Sequence, residues 1–109
     1  MVATVTAGSR LGPRIVVIYW RDIPAQVNAQ SGRLREKVVL PGRFQEAIDK
    51  ATVTAEQFIY HEFVKQWRRT DQTCGPDLAS EASLEADRIA MLYPPDRLST
   101  IVANLGYEP

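Results

Sequence analysis

Apolar residues follow strand spacing up to about residue 40 and helical spacing after it. Ile15, Val16, Val17 and Ile18 lead into Tyr19 and Trp20, a β-branched and aromatic run that predicts a strand over 15–20. Pro24 limits the next stretch, because it cannot donate to a ladder and it restrains Ile23. From Ala25 to Gln30, the apolar residues Ala25, Val27 and Ala29 alternate with Gln26, Asn28 and Gln30, as in a half-exposed strand. Ser31-Gly32 reads as a turn. Residues 35–40 read as a third strand, closed by Pro41-Gly42. Connections this short exclude crossovers, so the three strands are expected to form an antiparallel meander.

The remainder reads as helices. Phe44, Ala47, Ile48 and Ala51 fall at helical spacing, and Thr52-Val53-Thr54 is expected to interrupt it. Thr54 with Gln57 resembles a capping box. A second helix is expected from about Ala55 to Arg69, burying Phe58, Ile59, Phe63 and Trp67. Asp71–Asp77 is read as a loop. A third helix is expected from about Leu78 to Tyr93, with Leu78, Ala82, Ile89 and Leu92 inward and Pro94-Pro95 ending it. A last short helix should reach Leu105, with Leu98, Ile101, Val102 and Leu105 inward and Gly106 terminating it. The expected fold is α+β: a three-stranded antiparallel meander followed by three to four helices packed on one face. Without a βαβ alternation or a Gly-rich phosphate loop, a doubly wound nucleotide-binding fold is not expected.

With 109 residues, 45% of them hydrophobic and 24% charged, the chain has the size of one small domain. Met1–Pro13, small, polar and Gly/Pro-punctuated, is read as a loose tail, and residues 14–109 as the domain. A chain this short has a thin stability margin, so some apolar surface is expected to belong to a partner. The net charge is zero but unevenly placed. Residues 1–43 carry seven basic and two acidic side chains, a net of +5, and residues 44–109 a net of −5. That asymmetry fits either an anionic partner or, more plainly, two halves that attract each other.

A single cysteine, Cys74, excludes an intrachain disulfide and fits a reducing cytoplasm. One histidine, His61, and one cysteine make no familiar zinc ligand set. No cofactor or metal is therefore expected. No apolar run approaches membrane-spanning length, and the start of the chain lacks the pattern of a secretory signal.

Chemically costly residues crowd at Tyr19, Trp20, Arg21 and Asp22, where the first strand ends. Arginine beside aromatic faces can stack and still present a planar fork to a carboxylate or phosphate. Trp, Tyr and Arg are also the residues enriched at interface hot spots. The competing reading puts Trp20 in the core and makes Arg21 and Asp22 a structural pair. A second candidate is Trp67-Arg68-Arg69, expected at a helix C-terminus, where cations complement the helix dipole. Its functional alternative is one basic patch formed by Arg21, Arg68 and Arg69 beside two tryptophans. Nucleic acid is disfavoured as a ligand, because the net charge is zero and no recognised binding motif appears. No nucleophile, base and orienting group can be assembled, so no catalytic residue is assigned.

At IVVIYWRDIPAQV, followed by VVLPGRFQEAIDKA and later VKQWRR, the chain resembles a family of small bacterial proteins labelled virulence factor, or virulence-factor-like domain. The similarity spans Ile15–Arg69 well and the C-terminal helices loosely. YWRDIPAQV is its specific part. The family supplies no established reaction, cofactor or catalytic residue. Its members occur alone or within longer chains, which implies an accessory or scaffold role. Gene neighbourhoods of one-carbon and corrinoid methyl transfer further imply a partner enzyme of methyl-group or folate metabolism. The expected function is thus a non-enzymatic cytoplasmic module that binds another protein, or its own copy as a homodimer. The alternative is an enzyme subunit or binding protein for a small anion such as a folate or nucleotide.

Overall fold

A computed structural model of the chain describes residues 12–55 and 64–109. The described elements are β1 (Arg14–Trp20), β2 (Ile23–Ser31), β3 (Leu34–Val39), α1 (Gly42–Thr54), β4 (Trp67–Thr73), α2 (Leu78–Leu92) and α3 (Pro95–Ala103). The class is α+β, but the antiparallel sheet has four strands rather than three, in the order β3-β2-β1-β4.

The added strand is the main correction to the expected fold. Trp67, Arg68 and Arg69 are not the end of a helix, and Asp71–Thr73 is not loop; together they form β4, paired along its length with β1. WRRTDQT has one apolar residue and no alternation, so its own pattern carries no strand signal. The ladder supplied by β1 specifies it, as tertiary context can override local propensity. Of the rest of the expected second helix, Val64 and Lys65 are helical, and Phe58, Ile59, His61 and Phe63 fall at 56–63, outside the described residues. Most of the expected tail, at 1–11, also lies outside them.

Register sorts the sheet into two unlike faces. Val17 stands between Val27 and Thr70, with Val38 beyond Val27. Val16 stands between Asn28 and Asp71, with Lys37 beyond Asn28. Successive residues point to opposite sides. Ile15, Val17, Val27 and Ala29 therefore share the face that joins the buried core with Leu78, Ala82 and Ile89 of α2. Pro24 is tolerated inside β2 because the register shifts at that point, leaving Ala25 as an extra residue between Pro24, opposite Tyr19, and Gln26, opposite Ile18.

α1 buries Phe44, Ala47, Ile48 and Ala51 as their spacing predicts. It does not break at Thr52-Val53-Thr54. The Thr52 and Thr54 hydroxyls donate to the Ile48 and Lys50 carbonyls, 2.7 and 2.8 Å away, and are satisfied inside the helix. α2 is capped at its start by Asp77, which accepts from the Ser80 N–H. Its own last turn carries no cation. Arg43 of α1 serves instead, donating through Nη2 to the Ala90 and Tyr93 carbonyls at 2.7 and 3.2 Å.

Two residues expected inward face outward. Leu92, at the last position of α2, is 45% exposed and Leu105 is 41% exposed. The chain leaves α3 before Leu105, which takes φ 62, and Gly106 follows at φ 94. The helical spacing thus ends before it could carry Leu105 to the core.

Candidate functional site

Four segments meet where β1 turns into β2: the turn itself, the start of β4, the end of α2 and the residues after α3. The β1–β2 connection has only two residues, Arg21 and Asp22. Arg21 adopts φ 54, a region that favours glycine. Neighbours compensate for that cost. The Arg21 N–H donates to the Gln66 carbonyl at 3.0 Å and the Asp22 N–H to the Gly106 carbonyl at 2.8 Å. The Arg21 side chain donates through Nη1 to the Leu105 carbonyl at 2.5 Å. Its guanidinium is stacked on Trp20 at 4.9 Å and on Tyr107 at 4.7 Å from the ring centres.

β4 brings the second half. Arg68 stands opposite Tyr19 and its guanidinium lies 4.3 Å from the centre of that ring. It also donates to the Arg21 carbonyl at 2.9 Å and pairs with Asp22 at 3.1 Å. Asp22 accepts from the Glu108 N–H at 2.7 Å. The Glu108 carboxylate pairs with Arg97 at 2.6 Å, and Arg97 stacks on Tyr93 at 4.2 Å. One linked chain therefore runs from Tyr19 through Arg68, Asp22, Glu108 and Arg97 to Tyr93. Burial raises the Tyr93 phenol above its ordinary pKa, and the nearby Tyr19 adds to the effect.

Tyr19, Arg21, Asp22 and Arg68 thus come together. Trp20 and Trp67 are also direct cross-strand partners, yet neither forms an open platform. Trp20 is 0% exposed, at the heart of the core, and Trp67 is half-buried against that core. Arg69 stands apart. It lies opposite Ile18, on the other face from Arg68, with Nη2 3.8 Å from Asp71. Sequence reasoning missed Tyr93, Arg97, Tyr107 and Glu108. For Tyr107 a signal exists: an aromatic directly after a helix-ending glycine has to fold back onto something.

The best-formed groove among the described residues lies away from this cluster, between α1 and α3, with a volume of about 310 Å³, and is lined by Ala47, Lys50, Leu98 and Val102 among others. Among the described residues, no three His, Cys, Asp or Glu side chains gather closely enough to hold a metal ion. No helix there is long and apolar enough to cross a membrane. Cys74 is half-buried, and burial followed by the nearby Glu81 raises its thiol pKa, the opposite of nucleophile activation.

Fold and site together define a small α+β domain with an arginine–tyrosine cluster at one end of its sheet. The chain belongs to the virulence factor family, whose model matches residues 18–102. Neither the curated proteins nor the solved structures contain a significant match to it.

Proposed function

We propose that this chain is a non-enzymatic accessory module that binds a partner protein through the arginine–tyrosine end of its sheet. The observation that supports this reading best is the set of three Arg–Tyr stacks, Arg68 on Tyr19, Arg21 on Tyr107 and Arg97 on Tyr93, tied into one network. Tyr107 is 44% exposed and the Arg68 side chain 47% exposed, so the network reaches solvent. Rigid aromatic and arginine side chains already held in place lose little entropy on binding, and such residues dominate interface energetics. Trp20 acts from beneath, as the floor on which Arg21 rests. The partner class is an enzyme of methyl-group or one-carbon metabolism in the cytoplasm, the setting implied by the family resemblance.

A folate- or nucleotide-like anion gripped jointly by Arg21, Arg68 and Arg69 has less support. Arg21 and Arg68 spend donors on internal acceptors, and Arg69 is on the opposite face. The test is affinity capture with the tagged chain in its native host, compared with Arg68→Ala and Tyr107→Ala. Both variants should keep the native circular dichroism spectrum and lose the captured partner. Capture that survives in both folded variants overturns the proposal.

A further inference from the structure

Among the described residues β4 forms one edge of the sheet, and its sequence, WRRTDQT, is complementary to itself. An edge strand presents backbone donors and acceptors that natural sheets either shield or use. Both edges carry three charged residues, Arg35, Glu36 and Lys37 in β3 and Arg68, Arg69 and Asp71 in β4, but only β3 includes a lysine. β4 contains no proline and no lysine, and its ladder with β1 runs without a bulge.

Charge and symmetry together select the occupant. In a closed two-fold pair of antiparallel edge strands the axis stands perpendicular to the sheet, so directly opposed residues come from the same face. The register must then centre on a single residue. Centring on Arg68 or Arg69 sets that arginine against its own copy, and centring on Asp71 opposes two carboxylates. Centres nearer either end of β4 overlap only a few residues. Centring on Thr70 puts Arg69 opposite Asp71 of the second copy and, by symmetry, Asp71 opposite Arg69. It also puts Arg68 opposite Gln72. Within one strand Arg69 and Asp71 are two residues apart and make only a loose 3.8 Å pair through Asp71 Oδ2, while Arg14 of β1 holds Oδ1 at 3.2 Å. Directly opposed residues bring their β-carbons to about 5 Å, closer than the roughly 6.6 Å between alternate residues of one strand.

We infer that the chain forms a two-fold dimer through β4, in the register centred on Thr70. The two four-stranded sheets become one of eight strands, and the helix-packed faces lie on the same side.

Sedimentation of the full chain across a concentration series tests this. The unmodified chain should form a dimer. Arg69→Asp alone and Asp71→Arg alone should each be monomeric, because each sets like charges face to face. An equimolar mixture of the two variants should dimerise again. In the mixed pair the substituted positions 69 and 71 face each other with opposite charge, and the unsubstituted Asp71 of one chain meets the unsubstituted Arg69 of the other. Thr70→Cys in a Cys74→Ser background should cross-link to itself under mild oxidation, whereas Gln72→Cys in that background should not. A chain that stays monomeric at every concentration overturns the inference. So does a dimer that survives both charge reversals, or a mixture that remains monomeric.

Discussion

Arg68 and Tyr19 face each other across the β1–β4 ladder, with the guanidinium 4.3 Å from the ring centre. The same arginine holds the Arg21 carbonyl and the Asp22 carboxylate, so a cross-strand stack also fastens the β1–β2 turn. A double-mutant cycle with Arg68→Ala and Tyr19→Leu should give a coupling of about 0.5–1 kcal/mol in urea unfolding. Arg68→Lys should recover only part of the loss, because an ammonium cannot stack as a plane while bonding two acceptors.

The strained turn gives a sharper comparison. Arg21 holds φ 54, and its side chain contributes a bond to the Leu105 carbonyl and stacks on two rings. Arg21→Ala loses the side-chain interactions and keeps the strain, whereas Arg21→Gly loses the same interactions and relieves it. Thermal or urea unfolding should find Arg21→Gly the more stable of the two by about 1 kcal/mol. Equal stability would mean that the turn relaxes once the guanidinium is gone.

Two glycines should respond to alanine with opposite signs. A β-carbon on Gly106 would lie 2.8 Å from Trp20 Cζ3 and 3.1 Å from Arg21 Cδ, at φ +94. Trp20 is fully buried and cannot retreat. Gly106→Ala should therefore destabilise the chain by about 1–3 kcal/mol. Gly42 opens α1, and a β-carbon added there would meet no atom within 4 Å, so Gly42→Ala should stabilise by about 0.5 kcal/mol. Melting temperatures of the two variants, measured side by side, check the contrast.

Where hydrophobic period and burial agreed, the sequence was readable. The first strand, the spacing of Phe44, Ala47, Ile48 and Ala51, and the span of α2 each follow from residues that must reach the core. β4 was not readable, because six of its seven residues are exposed and their strand state is imposed by β1. The site divided along the same line. Tyr19, Arg21 and Asp22 stood out locally, since costly side chains clustered at a strand end. Tyr93, Arg97, Tyr107 and Glu108 join them only through the path of the chain after α3, which no local period encodes. Trp20 shows the limit of reading residue type alone. A tryptophan beside an arginine fits an interface as well as a core, and burial decides for the core.

Alkaline pH should weaken the fold through two groups whose neutral forms it favours. Burial, reinforced by Glu81, raises the Cys74 thiol above its ordinary 9.0, and burial, reinforced by Tyr19, raises the Tyr93 phenol above its ordinary 10.0. In the unfolded chain both groups ionise at their ordinary values. Below those values neither state has lost the protons, and this contribution to stability is fully present. As pH rises past about 9 the unfolded chain releases its protons first, so ΔG of unfolding declines until the folded groups ionise too. Urea midpoints measured from pH 7 to pH 11 should fall over the upper part of that range. Cys74→Ser should remove the thiol's share of the slope and Tyr93→Phe the phenol's. A double variant with the same alkaline slope as the unmodified chain would show that other groups set it.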